Sequence, residues 1–325
     1  MFTRRQISSA CAVLAATIAL PVATFASDFP AKPLRLIVPY AAGGGTDAIA
    51  RLVAQAVGQL LGQTMVVENN GTAGGNLASQ AAAAAPDGYT ILMANQGPMV
   101  VNPHLFKNLK VDPMKAFEPI VLVTSAPLVL VVPTKSKFSS AREFLDFAKA
   151  NPGKLNYGSA GNGSASHLAT VMLAQMAGLD YTHVPYRGAG PALNDLVSGQ
   201  LDFMITTLPS VAGQIEGGTV KALAVTTKNR TAKLPDAPAF AELGLPDYES
   251  GAWYGFVVPK GTPPSIIERL RAATVTAINT DLIKARFANE GAVPLGLPPA
   301  EFEKMMRAEH KRWGDVLSKA KITSP

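Results

Sequence analysis

Leu34-Arg35-Leu36-Ile37-Val38-Pro39-Tyr40-Ala41-Ala42-Gly43-Gly44-Gly45-Thr46-Asp47 is the stretch that decides the fold class of this chain. It opens as an apolar β-type run and passes through small residues and glycines. Beyond it, Ile49, Leu52, Val53, Ala56 and Leu60 return at helical spacing. That is a strand, a glycine turn and a helix. The unit recurs, with Met65-Val66-Val67 leading to an alanine-rich helix over residues 77–85, then Pro86-Asp87-Gly88 as a turn and residues 89–93 as a strand. Ser140-Ala141-Arg142-Glu143 spells a capping box for a helix that ends near Asn151-Pro152-Gly153. Strands are expected over 155–158, 182–185, 201–205, 220–226 and 254–258, and helices over 164–177, 192–198, 263–278 and 299–320. Such alternation implies mostly parallel sheets with helices on both faces, an α/β protein. The apolar run 120–132 is too short to span a bilayer and is interrupted by Thr124, Ser125 and Pro127. It reads as a strand crossing between two domains. The first domain is then discontinuous, 27–124 with 251–325, and 125–250 is the second.

At 325 residues the chain can bury a full core, and its 48% hydrophobic content marks it as globular rather than disordered. Arg4-Arg5, the apolar residues 10–22 and Thr24-Phe25-Ala26 have the layout of a secretory leader occupying 1–26, so the protein is expected to be exported. Thr3-Arg4-Arg5 lacks the full twin-arginine continuation, which leaves both export routes open. Cys11 is the only cysteine and lies in that leader. The mature chain therefore has no thiol nucleophile, disulfide framework or cysteine-bound metal. Removing Arg4 and Arg5 from the 29 Lys and Arg leaves 27 against 23 Asp and Glu, a surplus of four with no basic run. This excludes nucleic acid as the expected partner and suits a small anionic ligand.

Ligands of α/β sheets lie beyond the carboxyl ends of the strands, where helix N-termini offer unpaired N–H groups. The loop over 39–47 occupies such a place, and its glycines let the backbone approach an anion. Thr46 or Asp47 there is either a helix N-cap or a ligand contact. Gly71-Thr72-Ala73-Gly74-Gly75-Asn76 repeats the arrangement. A third small-residue loop, residues 157–167, supplies Ser159, Ala160, Gly161, Ser164 and His167; a fourth, 184–191, carries Tyr186 and Arg187. Arg187 can be a bidentate carboxylate partner or a surface ion pair. G-x-S-x-G, G-x-x-x-x-G-K-[ST] and G-x-G-x-x-G are all missing. His104, His167, His183 and His310 have no metal-binding spacing, and His167 beside Ser164 lacks a carboxylate to orient it. No catalytic residue, metal or cofactor is expected.

The chain resembles the periplasmic solute receptors of the tripartite tricarboxylate transporter family, the Bug receptors, along essentially its whole mature length. The motifs that carry the resemblance include Lys32-Pro33-Leu34 through Asp47, Val66-Val67-Glu68-Asn69, Ala73-Gly74-Gly75-Asn76 and Ala85-Pro86-Asp87-Gly88-Tyr89-Thr90. Asn102-Pro103-His104-Leu105, residues 151–159, His183-Val184-Pro185-Tyr186 and Leu223-Ala224-Val225-Thr226 extend it. The resemblance implies a two-domain type II periplasmic-binding-protein-like fold, with a hinged cleft closing on a small carboxylate. It implies a monomer that hands its ligand to an integral-membrane permease. Carried onto this sequence, the ligand-binding set is Tyr40, Gly43, Gly44, Gly45, Thr46, Asp47, Ala73, Gly74, Gly75, Asn76 and Gln96 from the first domain. The second domain adds Ser159, Ala160, Gly161, Ser164, His167, Tyr186, Arg187, Thr206 and Thr207. At Thr206-Thr207 the sequence departs from relatives that carry an acidic residue there, which points to a ligand without an amine: a di- or tricarboxylate, or an aromatic acid. A sensing receptor with no permease, or a secreted enzyme, are the alternatives.

Overall fold

A computed structural model describes residues 29–320; the leader reading lies outside the described residues. The chain runs β1 (Leu34–Val38), α1 (Gly45–Leu61), β2 (Met65–Asn69), α2 (Asn76–Ala82), β3 (Thr90–Asn95), the one-turn helices α3 (Asn102–Leu105) and α4 (Pro113–Ala116), and β4 (Phe117–Pro133). It continues through α5 (Ala141–Ala150), β5 (Asn156–Ser159), α6 (Ala165–Ala177), β6 (Thr182–Pro185), α7 (Ala189–Ser198), β7 (Phe203–Thr207), α8 (Leu208–Glu216) and β8 (Val220–Val225). It closes with β9 (Gly251–Pro259), α9 (Pro264–Ile278), α10 (Asp281–Asn289), β10 (Val293–Leu297) and α11 (Pro299–Ala320). Among the described residues no helix is long and apolar enough to cross a membrane.

The strand order is β2-β1-β3-β9-β4-β7-β5-β6, with β8 and β10 also on β4. The β-α units give the parallel ladders expected of them: β1 with β2 and β3, and β5 with β6 and β7. The long strands between them do not. β9 is antiparallel to β3, and β4 is antiparallel to β7, β8, β9 and β10, so the sheet is mixed rather than mostly parallel. A strand that leaves one β-α layer and another that returns must run against each other, and this is the physical reason. Along β4, residues 117–127 pair with β9, and from Leu128 onward the partners are β7 and β8. The strand is thus shared by two lobes, and its residues Leu128, Leu130 and Val132 are fully buried in a core that also holds Ile49, Phe144 and Phe256.

Helix limits follow local chemistry. Ser140 accepts from the Glu143 N–H at 3.2 Å and so caps α5, while the Glu143 carboxylate accepts from the N–H of Ser139, the residue before the cap, at 2.8 Å, a variant of the expected capping box. The helix expected over 192–198 begins earlier, at Ala189, and that expected over 77–85 ends at Ala82. Leu60, one of the apolar residues at helical spacing in α1, is half exposed, whereas Val57 is fully buried. Five of these elements were not foreseen: the one-turn helices α3 and α4, and α8, α10 and β10. Pro294 and Gly296 break the strand pattern of β10, and an edge strand paired only with β4 tolerates both.

Candidate ligand-binding site

Four helices begin at one point. Because β1, β5, β6 and β7 end toward the space between the lobes, α1, α6, α7 and α8 start there, with Gly44, Ser164, Gly188 and Thr207 as their N-caps. Gly45 and Thr46 of α1, Ala165 and Ser166 of α6, Ala189 of α7 and Ser210 of α8 line a single cavity, with Tyr40, Asn95, Ala160, Thr206, Ala252 and Tyr254 completing its wall. Each helix N-terminus presents unpaired N–H groups and roughly half a positive charge. No charged side chain belongs to the wall. Burial pushes the Tyr254 hydroxyl up to about 12 and raises Tyr40 further, so both remain neutral donors. Tyr40 donates to Asn95 Oδ1 at 3.1 Å, and Asn95 donates to the Trp253 carbonyl at 3.1 Å, which fixes that side of the wall to β9. The wall is thus built of helix N-termini, hydroxyls and methyl groups.

The lobes meet closely around the cavity. Ala41 N–H donates to the Arg187 carbonyl at 2.8 Å, and Gly45 N–H donates to Ser210 Oγ at 2.8 Å. A Cβ at Gly45 would lie 2.7 Å from Thr207 Oγ1, so glycine is what allows this approach. The remaining space is about 30 Å³, room for about two waters.

Of the residues expected from sequence, Tyr40, Gly44, Gly45, Thr46, Ala160, Ser164, Thr206 and Thr207 line the cavity. The others are placed behind or beside it. Asp47 turns away from the cavity: its carboxylate accepts from Gly43 N–H at 3.1 Å, Asn69 Nδ2 at 2.9 Å and Arg51 at 3.0 Å. Burial works against its charge, but the bonds from Arg51, Gly43 and Asn69 outweigh it and hold the carboxyl below its usual range. Asp47→Asn is expected to cost about 1–2 kcal/mol in chemical denaturation, because the amide cannot accept from all three donors. An unchanged midpoint would remove Asp47 as the brace of the glycine loop.

Ala73, Gly74 and Gly75 are successive left-handed residues at φ 53°, 65° and 87°, and their loop packs on Asn102 rather than on the cavity. Asn76 Oδ1 accepts from Asn102 Nδ2 at 2.6 Å. Ser159 Oγ meets His183 Nε2 at 2.7 Å and accepts from Gly161 N–H at 3.1 Å. His167 Nδ1 accepts from Gly163 N–H at 3.1 Å, and its ring stacks on His183 at 4.4 Å, which stacks on Tyr157 at 4.6 Å. These rings support the 159–164 loop from below. Tyr186 donates to Asp195 Oδ2 at 2.5 Å. The Arg187 side chain is exposed, and its carbonyl accepts from the Ala41 N–H of the facing lobe. Gln96 is buried and faces a different space of about 490 Å³ beside Trp253 and Trp313.

Sequence reasoning missed Asn95, Ala165, Ser166, Ala189, Ser210, Ala252 and Tyr254 on the wall. Ser210 had a signal: Thr207-Leu208-Pro209 is a helix start, a capping threonine followed by a proline in the first turn. Asn95 and Tyr254 had none beyond lying at or in strands.

Two α/β lobes that share β4 and enclose a cavity at the starts of four helices have the layout of a solute-binding protein. The model of the tripartite tricarboxylate transporter family receptor matches residues 49–322, and the chain belongs to that family. Among solved structures, periplasmic binding protein BugD is 35% identical with a TM-score of 0.88, the match covering 91% of this chain and 100% of that one. Rpa4515 of R. palustris with adipate is 32% identical at a TM-score of 0.88, covering 91% and 99%. MatC of Rhodopseudomonas palustris with bound malate is 34% identical at a TM-score of 0.84, covering 89% and 100%.

Proposed function

We propose that this chain is a periplasmic receptor, exported by its leader, that captures a small carboxylate between its lobes and delivers it to the membrane permease of a tripartite tricarboxylate transporter. The observation that carries the reading is the convergence of four helix N-termini on a cavity with no charged wall residue. Such a site favours a carboxylate without a buried countercharge. Thr206 and Thr207 offer hydroxyls where an ammonium would need an acid, so the ligand is an amine-free di- or tricarboxylate or an aromatic acid. The adipate and malate held by the structures of similar proteins support that class. The receptor works as a monomer of two domains, 27–124 with 251–325 and 125–250, and neither a cofactor nor a metal takes part.

Calorimetric titration of the protein, unfolded and refolded to strip carried-over ligand, tests this with adipate, malate, a tricarboxylate, an aromatic acid and aspartate. One-to-one saturable binding of an amine-free acid, with the acid recovered unchanged, is the expected result. Preferential binding of aspartate would remove the amine-free assignment, and consumption of the ligand would make the protein an enzyme.

A further inference from the structure

The closed cleft satisfies itself. Gly45 N–H, in the first turn of α1, is one of the donors a ligand carboxylate would use, and it already has an acceptor in Ser210 Oγ from the opposite lobe at 2.8 Å. Ser210 Oγ also lies 2.7 Å from Thr207 Oγ1, so its hydroxyl is oriented within the first turn of α8 rather than free to swing away. Both hydroxyls are more than nine-tenths buried, and the cavity they border has a volume of about 30 Å³. A dicarboxylate does not fit in room for about two waters. Entry therefore requires the lobes to part, and parting them breaks the Gly45–Ser210 bond.

We propose that Ser210 is an affinity-setting latch: its hydroxyl stands in for a ligand oxygen on the glycine loop, holds the lobes together without ligand, and must be displaced before a carboxylate binds. A receptor whose competent state is only partly populated binds with its intrinsic affinity reduced by that fraction, so the latch weakens binding and sharpens release. This rests on the cleft being the ligand site, but not on which ligand it takes.

The test is a distance measurement on ligand-free protein. Spin labels are placed at Gln59→Cys on α1 and Val197→Cys on α7, both exposed, in a chain carrying Cys11→Ser. With Ser210 intact the closed separation should dominate. Ser210→Ala leaves the Gly45 N–H unpaired whenever the lobes close, and should lower the closed-to-open ratio by on the order of tenfold. Ser210→Thr, which keeps the hydroxyl, should retain the closed population and shows whether any change comes from the hydroxyl rather than from damage to α8. Identical distance distributions for the intact and alanine proteins would overturn the latch whatever the ligand. Titration with adipate separates the two proposals: tighter binding by Ser210→Ala supports the latch, weaker binding makes Ser210 a ligand donor and overturns it. Absence of adipate binding in every variant counts against the ligand class alone, since the distances still decide the latch.

Discussion

Between pH 6.5 and pH 4 the protein is expected to lose on the order of 3 kcal/mol of stability through His167 alone. Its imidazole is buried against His183, and burial lowers it from 6.5 to about 4. His183 is lowered to about 3, by burial first and then by the charge His167 would carry. In both cases the folded protein holds a proton less tightly than the unfolded chain. Stability is therefore complete above 6.5 and falls with pH until the folded values are reached, as the unfolded chain takes up protons that the folded state refuses. The stack also needs His167 Nδ1 as an acceptor for the Gly163 N–H, which a protonated ring cannot provide. Urea midpoints at pH 7 and pH 4.5 measure the loss. His167→Gln, whose amide oxygen can still accept from Gly163 without titrating, should remove the share of His167 and leave that of His183, a smaller difference than in the intact protein. A drop of equal size in that variant would place the acid sensitivity elsewhere.

Gly190→Ala is expected to force the lobes apart while leaving the second lobe as stable as before or more so. A Cβ at this position, in the first turn of α7, would lie 2.6 Å from the Ala42 carbonyl and 3.0 Å from the Gly43 carbonyl carbon, both in the facing lobe. Backbone atoms cannot yield by changing rotamer, and overpacking of this kind costs about 1–3 kcal/mol. Within its own helix the alanine gains up to about 1 kcal/mol over glycine. The two effects act on different quantities. X-ray scattering of the ligand-free protein should show a larger radius of gyration, and the melting temperature should hold or rise. Gly213→Ala, in α8 with no atom within 4 Å of the new Cβ, should change the helix term and leave the radius untouched. An unchanged radius in Gly190→Ala would mean that the seam is loose enough to absorb a methyl group.

The β-α rhythm of the fold was legible because each unit is local. The strand at 34–38, the glycine turn and the helix after it, and the strand at 182–185 all follow from a few consecutive residues. The crossing strand was legible as well: its apolar run at 120–132 lies within β4. Direction was not, because parallel and antiparallel neighbours bury the same apolar side chains, and only the return of β9 alongside β4 makes the sheet mixed. For the site, the loops announced themselves through glycine and serine, but their outward and inward residues did not. Asp47 and His167 carry the chemistry a ligand could use and are instead consumed in holding the loops. Tyr254 and Ala252 share one face of β9 by strand alternation, yet nothing local tells which face meets the cleft. Such residues become site residues through long-range placement, which a local pattern does not encode.

The main-chain construction of the cavity has a consequence for descent. A guanidinium or a carboxylate in a pocket can be lost in one codon change; an amide at the start of a helix cannot, since every residue but proline carries one. In the proposed receptor the set of main-chain donors at the starts of α1, α6, α7 and α8 is thus inherited with the fold, and drift is free to act on the hydroxyls and methyl groups around it. On that proposal, a duplicated gene would keep the same main-chain donors from the first generation and could acquire a new preference by exchanging Thr206, Thr207 or Ser210.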